Sequence, residues 1–241
     1  MKFAIIADIH GNLEALQAVL EDARKQGVTH YACLGDVVGY GANPKECLDI
    51  VRGMGMPCVK GNHDEYSASI NQHLEGFNPY AAQAVQWTRE HLTEDDRKWL
   101  RELKYIRLVT SFSIVHATLD APDRWGYVFD KLAAAASFPY QNTNVCFFGH
   151  THVPVAFVRD SVIRGGSYSK FRIEHGRKYF INVGSVGQSR DGVAKATYAT
   201  YDLNEGIIEL RRVDYDIPAA QGKIIAAGLP KRLADRLAEG R

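Results

Sequence analysis

The 241-residue sequence lacks several features that would place a protein in a specialised class. It has only four cysteines and no CxxC pair, so neither a disulfide framework nor a small zinc fold is expected. Its net charge is +1, which gives no general attraction to nucleic acid or to an anionic membrane. No Pro- or Ser-rich linker and no internal repeat divides the chain. We therefore expect a single domain over residues 1–241.

Long apolar runs are also missing. No stretch approaches the length of about 18 apolar residues that a membrane-spanning helix needs. The N-terminal apolar run of residues 3–7 stops at Asp8, and it is too short for the core of a signal peptide. Cys33, Cys58 and Cys146 lie in apolar, strand-like runs, where a free cysteine behaves as a small hydrophobic residue. These features predict a cytoplasmic protein with no membrane partner.

The first third of the chain alternates between strand and helix patterns. "KFAIIAD", "HYACLGD" and "MPCVKGNHD" (residues 56–64) are predicted as strands because each is apolar and ends in polar residues. Between them lie two helical segments, the first with apolar residues three and four positions apart (Leu13, Leu16, Leu20, Ala23) and the second reading "PKECLDIVRGMG". The order β-α-β-α-β predicts parallel strands with right-handed crossovers.

The middle and the end of the chain differ in pattern. Residues 65–140 are predicted as a helical cap-like segment with two helices, "NPYAAQAVQWTREHL" and "TEDDRKWLREL", before the hairpin-like "YIRLVTSFSIVHA". This segment contains Trp87, Trp99 and Trp125, which either pack helices on the sheet or form a substrate-side cap or an oligomer surface. The last hundred residues are strand-rich, with short helices predicted near Pro218 and over residues 229–238.

Acidic, amide and imidazole side chains follow several predicted strands. They are Asp8 and His10, Asp36, Asn62 and His63, His116, and His150 and His152. Because sites in open α/β sheets form beyond the carboxyl ends of the strands, we expect these residues to converge. Each residue alone is equally consistent with a turn or a structural hydrogen bond. The complete ordered set favours a metal site.

The donor types indicate how many ions such a site would hold. Seven side chains offer oxygen or nitrogen donors and no thiolate: Asp8, His10, Asp36, Asn62, His116, His150 and His152. One tetrahedral ion needs about four donors, whereas seven suit two ions that share a bridging carboxylate. In an extended "DIH" or "HTH" segment, residues i and i+2 point the same way, so both could reach one ion.

Five motifs in order carry a resemblance to a known family. "DIHGN", "GDVVGYG", "GNHD", "HA" and "GHTH" resemble those of the calcineurin-like metallophosphoesterase superfamily. "INVGSVGQSRDG" and "GLPKRLADRL" are similar to the compact prokaryotic branch that is described as phosphodiesterase-like. The resemblance implies an α/β fold of the metallo-dependent phosphatase type: a four-layer sandwich of two mixed β-sheets flanked by helices.

The resemblance also implies a division of the ligands. Asp8, His10 and His152 would hold one ion, Asn62, His116 and His150 the other, and Asp36 would bridge them. The expected cofactors are two divalent ions, Mn²⁺ first, with Fe, Zn, Ni or Mg as alternatives. Hydroxide activated by the metals would attack phosphorus. His63 would act above the ions, either stabilising phosphoryl charge or protonating the leaving group, while Asn62 would also touch the phosphate.

One motif departs from the family pattern in a way that bears on the substrate. Ser/Thr protein phosphatases carry an Asp and an Arg in GDxVDRG where this chain has Gly39 and Tyr40. Loss of that Arg disfavours a phosphomonoester dianion and a typical symmetrical diadenosine tetraphosphatase. Arg190 either supplies a replacement cation or pairs with Asp191 on the surface. Tyr40 either stacks on a base or aryl leaving group or is a packing residue.

The sequence thus predicts a dinuclear-metal-dependent phosphodiesterase that acts on small, nucleotide-like phosphoesters. The alternatives within the superfamily are a phosphomonoesterase or protein phosphatase, a diadenosine tetraphosphatase-like hydrolase and a nuclease, the last disfavoured by the net charge of +1. A non-catalytic metal-containing binding protein is disfavoured because every expected metal ligand is present in the sequence. The sequence does not distinguish a monomer from a homo-oligomer.

Overall fold

The computed structural model describes residues 1–71, 73–75 and 77–241, so two residues of the cap-like segment predicted at 65–140, residues 72 and 76, lie outside the described ones. Eight α-helices lie within the described residues: α1 (Leu13–Lys25), α2 (Pro44–Gly53), α3 (Asn62–Ala68), α4 (Pro79–His91), α5 (Glu94–Glu102), α6 (Lys131–Ser137), α7 (Ile217–Ala226) and α8 (Lys231–Glu239). The strands in the same residues are β1 (Lys2–Ile6), β2 (His30–Cys33), β3 (Ile106–Val109), β4 (Phe112–Val115), β5 (Val145–Phe148), β6 (Val155–Arg159), β7 (Ile163–Gly166), β8 (Lys170–Arg172), β9 (Lys178–Asn182), β10 (Ala196–Asp202) and β11 (Ile207–Val213).

These strands form two mixed sheets. The first has the order β2-β1-β10-β11-β8, in which β1 and β2 are parallel and β10 is antiparallel to β1. The second has the order β3-β4-β5-β9-β6-β7, with β4, β5 and β9 parallel to one another. Parallel strands therefore end at the same edge in each sheet, and these edges carry the polar motifs.

The two sheets pack face to face. Alternate residues of β1 point to opposite faces, so Phe3 and Ile5 pack between the sheets while Ala4 and Ile6 pack under helices. The core between the sheets includes Phe112 and Phe147, whose rings meet at 5.4 Å edge to face. Helices α1 and α2 cover the first sheet, and α6 covers the second. The predicted four-layer sandwich of two mixed sheets flanked by helices is confirmed.

Helix α1 shows how local sequence sets the elements that lead into the site. Asn12 accepts a hydrogen bond from Ala15 N–H at 3.1 Å and caps the helix. Leu16, Val19 and Leu20 lie on its buried face, in the predicted periodicity. The cap fixes the direction of the chain immediately after the "DIH" motif.

The predicted third strand is wrong for most of its length. Residues 56–64 make only two isolated β-bridges, Cys33 with Cys58 and Val59 with Lys104. Helix α3 then begins at Asn62, with Gly61 as its N-cap. The side chain of Asp64 accepts a bond from Gly61 N–H at 3.0 Å, which starts the helical turn two residues before the expected strand end. Asn62 and His63 therefore lie on the first turn of a helix.

The segment of residues 65–140 combines helices with part of a sheet. Helix α3 packs against α4 and α5, whereas β3 and β4 are strands of the second sheet. The tryptophans also separate: Trp87 stacks on His91, and Trp99 packs with the core under α1 and α2. Trp125 lies beside His116, with ring centroids 5.8 Å apart. Of the three, Trp125 lies beside the motif residues.

The predicted C-terminal helices are present as α7 and α8, which pack on each other and on α4. The four cysteines are buried and free. Among the residues that the structure describes, no helix combines the length and the apolar character needed to cross a membrane.

Candidate metal centre

The loops that follow β1, β2, β4 and β5 bring the motif residues together. Two separate groups each have their ligand atoms within 4.8 Å of one another: Asp8, His10 and His152, and Asp36, His116 and His150. A third such group combines His10, Asp36 and His63. All these side chains are buried. Residues separated by more than a hundred positions thus form one compact polar cluster.

Each of the four histidines in the first two groups contacts a backbone carbonyl through its outer ring nitrogen. The contacts are His10 Nδ1 with Val38 O (3.1 Å), His116 Nδ1 with Leu34 O (2.7 Å), His150 Nε2 with Trp125 O (2.9 Å) and His152 Nδ1 with Gln188 O (2.6 Å). A carbonyl oxygen only accepts, so each outer nitrogen carries the proton. The inner nitrogen of each neutral ring is then a free lone pair, the form in which histidine binds metal.

The inner nitrogens face one another in pairs. His10 Nε2 lies 3.1 Å from His152 Nε2, and His116 Nε2 lies 3.2 Å from His150 Nδ1. When both rings of a pair are neutral, two lone pairs point at one position, and a shared cation would relieve their repulsion; at His116 the cation would replace the proton that Asp36 stabilises. Asn62 Oδ1 is buried without a hydrogen-bond partner in the described residues, which suits a metal ligand. The residues present therefore fit two metal ions.

The two carboxylates hold different places in the cluster. Asp8 Oδ1 lies 3.5 Å from His152 Nε2, within the first group. Asp36 Oδ2 lies 3.4 Å from His116 Nε2 and 3.7 Å from His10 Nε2, which belong to different groups. Asp36 is thus placed between the two groups, as a bridging ligand requires.

Burial and charge shift the pKa values across the cluster. Burial raises the pKa of Asp8 to about 7, although His116 opposes this. Burial also acts to raise the pKa of Asp36, but the attraction of His116 and His63 outweighs it and holds that pKa below its usual value. Burial acts to lower the pKa of His116, but Asp36 raises it to about 10. The field at the centre therefore favours a cation.

The other ligand histidines are held neutral. Burial, with the nearby His116, lowers the pKa of His150 to about 3. Burial likewise lowers the pKa of His10 and of His152 well below the usual value. Neutral imidazoles keep their inner lone pairs available at neutral pH.

The backbone at the site bends into the left-handed region. Six residues that are not glycine have positive φ: Asp8 (53°), His10 (50°), Asp36 (51°), Tyr40 (59°), His150 (67°) and His152 (61°). The expectation that "DIH" and "HTH" are extended, with i and i+2 aligned by strand geometry, is wrong. Hydrogen bonds such as His10 N–H to Asp36 O (2.9 Å) stabilise these bends, which cost about 1–3 kcal/mol each.

Asp64 holds the loop that carries Asp36. Its carboxylate accepts four backbone N–H bonds: from Asp36 (2.7 Å), Val37 (2.9 Å), Val38 (3.3 Å) and Gly61 (3.0 Å). Burial raises its pKa to about 7, and the bond from Gly61 opposes the rise. All four of these contacts are with the backbone of the two turns at residues 36–38 and 61, and none is with the His63 ring.

His63 lies beside the cluster on the first turn of α3. Its backbone N–H donates to Asp36 Oδ1 at 2.8 Å. Its Nδ1 is buried with no hydrogen-bond partner in the described part of the chain. A Cβ added at Gly39, where φ is +89°, would lie 2.5 Å from that nitrogen, so the backbone of Gly39 packs directly on the ring. Burial lowers the pKa of His63 to about 4, although Asp36 opposes the shift.

Tyr40 and Arg190 form a second layer beside the rings of the cluster. The Tyr40 ring lies 4.4 Å from the His63 ring and 4.6 Å from the His10 ring. Arg190 Nη2 donates to Tyr40 OH at 3.3 Å and to Gln188 Oε1 at 3.1 Å. The surface pair of Arg190 with Asp191 is not formed, because Asp191 Oδ2 accepts from Arg212 at 2.5 Å.

A cavity of about 210 Å³ opens next to the cluster. Its lining includes Asn62, His63 and His150 together with five aromatic residues: Tyr40, Tyr66, Phe77, Trp125 and Tyr127. Tyr66, Phe77 and Tyr127 were not predicted from the sequence. The only sequence feature that pointed to this region was the cluster of three tryptophans, of which Trp125 lines the cavity.

Comparison with known proteins agrees with this geometry. Residues 1–206 match the model of the calcineurin-like phosphoesterase superfamily domain. The chain belongs to this superfamily. Members are dinuclear metal-dependent enzymes, and the clustered Asp and His side chains are candidate ligands for such a centre.

Two relatives of this calcineurin-like phosphoesterase cover nearly its full length, and a third covers part of it. An uncharacterized protein of Methanocaldococcus jannaschii is 38% identical over 99% of this chain and 98% of its own. The crystal structure of a metallophosphoesterase from Sphaerobacter thermophilus is 36% identical, with a TM-score of 0.87, covering 100% of this chain and 99% of the other. A symmetrical bis(5'-nucleosyl)-tetraphosphatase of Psychromonas ingrahamii is 37% identical over 29% of this chain and 26% of its own.

Proposed function

We propose that this protein is a dinuclear-metal phosphodiesterase that hydrolyses small, nucleotide-like phosphoesters. In this assignment Asp8, His10 and His152 hold one ion, Asn62, His116 and His150 hold the other, and Asp36 bridges them. The observation that carries the proposal is the facing inner ring nitrogens: those of His10 and His152 lie 3.1 Å apart, and those of His116 and His150 lie 3.2 Å apart. Outer hydrogen bonds to carbonyls hold each pair in this orientation, so both inner nitrogens of a pair could bind one cation, which at His116 would replace a proton.

The chain's own residues supply orientation and charge control. Bound ions supply a hydroxide at neutral pH and neutralise phosphoryl charge. Asp36 lies between the two groups, and Asp64 fixes the loop that carries it through the backbone N–H groups of residues 36–38. Because the ligand loops are bent and bonded in advance, little reorganisation is needed during the reaction.

His63 is proposed to face the phosphoryl group. Its pKa of about 4 means that the imidazole is neutral at neutral pH. A neutral ring donates one N–H hydrogen bond to developing charge, whereas proton transfer to the leaving group would require an imidazolium. The low pKa therefore favours charge stabilisation over acid catalysis, of the two roles that the sequence left open for His63.

The surroundings of Tyr40 support a diester over a monoester. No guanidinium stands at position 40, and the only one bound to Tyr40 among the described residues is that of Arg190, which also bonds to Gln188. A monoester dianion would need more cationic donors than a diester monoanion. Arg190 remains the proposed substrate-binding cation, and Tyr40 is proposed to set its position.

A bis(5'-nucleosyl)-tetraphosphatase activity is the second candidate, because one relative with that name aligns over 29% of this chain. Its polyphosphate substrate would need several cations near the metals. The described residues that line the adjacent cavity include no Lys or Arg, which argues against it.

We also propose Mn²⁺ as the working ion, since imidazole and carboxylate ligands suit it. The four buried free cysteines support a cytoplasmic location.

Metal analysis combined with a paired assay tests the proposed function. We expect about two divalent ions per chain after loading with Mn²⁺. We expect faster turnover of bis-p-nitrophenyl phosphate than of p-nitrophenyl phosphate. A strong monoester preference would overturn the diesterase assignment. Full metal occupancy without turnover would favour a binding protein, and a salt-sensitive complex with DNA would favour a nuclease.

A further inference from the structure

We propose that the cavity beside the metal centre is a subsite for a planar, uncharged aromatic group of the phosphoester substrate. The inference rests on the proposed function and names the kind of group that the ester carries. It follows from the shape and chemistry of a cavity of about 210 Å³ whose floor is formed by Asn62, His63 and His150.

One wall of the cavity extends outward from His63. The Phe77 ring meets the His63 ring at 5.9 Å and 73°, and it meets the Tyr66 ring at 4.5 Å and 68°. Both contacts are edge to face, the arrangement that aromatic rings prefer. Phe77 and Tyr66 are half-buried, so parts of these rings remain open to a ligand.

The opposite wall extends from His150. The Tyr127 ring stacks on the His150 ring at 4.3 Å, and Phe129 lies nearly parallel to Tyr127 at 5.6 Å. Trp125 accepts a hydrogen bond from His150 through its backbone carbonyl, so it lies at the same edge of the centre. Tyr127 is 54% exposed, which is a large open surface for an aromatic ring beside a buried polar cluster. Aromatic rings therefore line the cavity both next to His63 and next to His150.

Charge distribution limits what this cavity can hold. The described residues that line it include no Asp, Glu, Lys or Arg. Arg190 is not among the lining residues, and its guanidinium bonds to Tyr40 and Gln188. A second phosphate in the cavity would therefore lack a cation, whereas a neutral ring would gain stacking contacts.

The wall next to α3 is held in place before any ligand binds. Arg89 on α4 donates from Nε to the carbonyl of Tyr66 at 2.9 Å, and Arg101 on α5 donates to the carbonyl of Ala68 at 2.9 Å. Two helices thus fix the end of α3 that carries Tyr66. A subsite fixed in this way loses little ordering entropy on binding.

Two phosphinates, one with a ring and one without, test the subsite. The protein, loaded with Mn²⁺, is titrated calorimetrically with methyl(phenyl)phosphinate and with dimethylphosphinate, which are monoanions like a phosphodiester and whose C–P bonds are not hydrolysed. We expect methyl(phenyl)phosphinate to bind about tenfold or more tightly, as stacking on aromatic side chains implies. Phe77→Ala and Tyr127→Ala should each reduce this ratio several-fold and leave dimethylphosphinate affinity unchanged. Tyr140→Ala, an exposed aromatic outside the lining, is the matched control.

The outcomes separate the subsite from the function on which it rests. Metal content is measured for each variant, and Phe77→Ala decides the result if Tyr127→Ala loses metal through its contact with His150. Equal affinity of the wild-type protein for the two phosphinates overturns the subsite alone. A ratio unchanged in Phe77→Ala also overturns it. If neither phosphinate binds to the metal-loaded protein, both the subsite and the proposed phosphodiesterase are overturned.

Discussion

Replacing Asp64 by Asn tests how the loop of the bridging carboxylate is held. The side chain is 0% exposed, and each of its two oxygens accepts two backbone N–H bonds. Oδ2 serves Asp36 and Gly61, and Oδ1 serves Val37 and Val38. Asparagine keeps one oxygen and replaces the other by an NH₂ group, which cannot accept a bond. Two N–H groups therefore lose their acceptor in either orientation.

The geometry gives the expected size of the effect. The favoured orientation keeps the bonds to Asp36 (2.7 Å) and Gly61 (3.0 Å) and sacrifices those to Val37 (2.9 Å) and Val38 (3.3 Å). At about pH 8, above the raised pKa of Asp64, a hydrogen bond to the charged carboxylate contributes about 1.5–3 kcal/mol, and the bond to Val38 is long, so we expect a loss of about 3 kcal/mol in the free energy of unfolding at that pH. For a chain of this size that corresponds to about 6–12 °C in Tm. Metal affinity should also fall, because the Val38 carbonyl orients His10.

Thermal unfolding with metal analysis measures both effects. Asp64→Ala should cost more than Asp64→Asn, since it removes all four acceptor bonds. Asp49→Asn, at an exposed carboxylate paired with Lys45, is the matched control and should change Tm little. An Asp64→Asn protein with wild-type Tm and full metal content would refute the role given to this carboxylate.

Three further predictions concern other parts of the molecule. His63→Ala should keep bound metal but lose about 10²–10⁴-fold in turnover, whereas Asp36→Ala should lose both; equal metal loss in the two variants would contradict the assignment. Gly39→Ala should lower turnover while metal content stays near two ions, because its Cβ would displace the His63 ring; unchanged kinetics would argue against this packing. Bonds from Thr93 lower the pKa of Asp96 although burial opposes them, so its stabilising effect is present above about pH 4 and lost as the pH falls through the lowered pKa. Denaturant unfolding should therefore show wild type and Asp96→Asn differing at pH 7 and converging at low pH.

The sequence predicted the elements that rest on local patterns. The periodicity of Leu16 and Leu20 anticipated α1, and the apolar runs anticipated β1 and β2. The motif residues that the sequence assigned to strand ends are together in the structure, because parallel strands of both sheets end at one edge. Residue type and chain order were sufficient to predict that these residues converge, because the fold brings their loops together whatever the local geometry of each loop.

Local geometry at the site could not be predicted from strand patterns. Asp8 and His10 have positive φ values, which residues other than glycine adopt only when surrounding contacts hold them. Asn62 was placed at a strand end because "MPCV" is apolar, but the bond from Gly61 N–H to Asp64 starts a helix there. The aromatic cavity depends on Phe77 and Tyr127, which are distant in sequence and meet only through the folded chain.

The substitutions at positions 39 and 40 have a joint consequence for the chemistry. Gly39 packs its backbone against His63 Nδ1, which leaves no room there for a carboxylate that would raise the pKa of the ring. Burial then keeps that pKa near 4, so His63 is a hydrogen-bond donor and a poor acid at neutral pH. The same ring lines the aromatic cavity, so the subsite proposed there begins directly at the residue that would face the phosphoryl group.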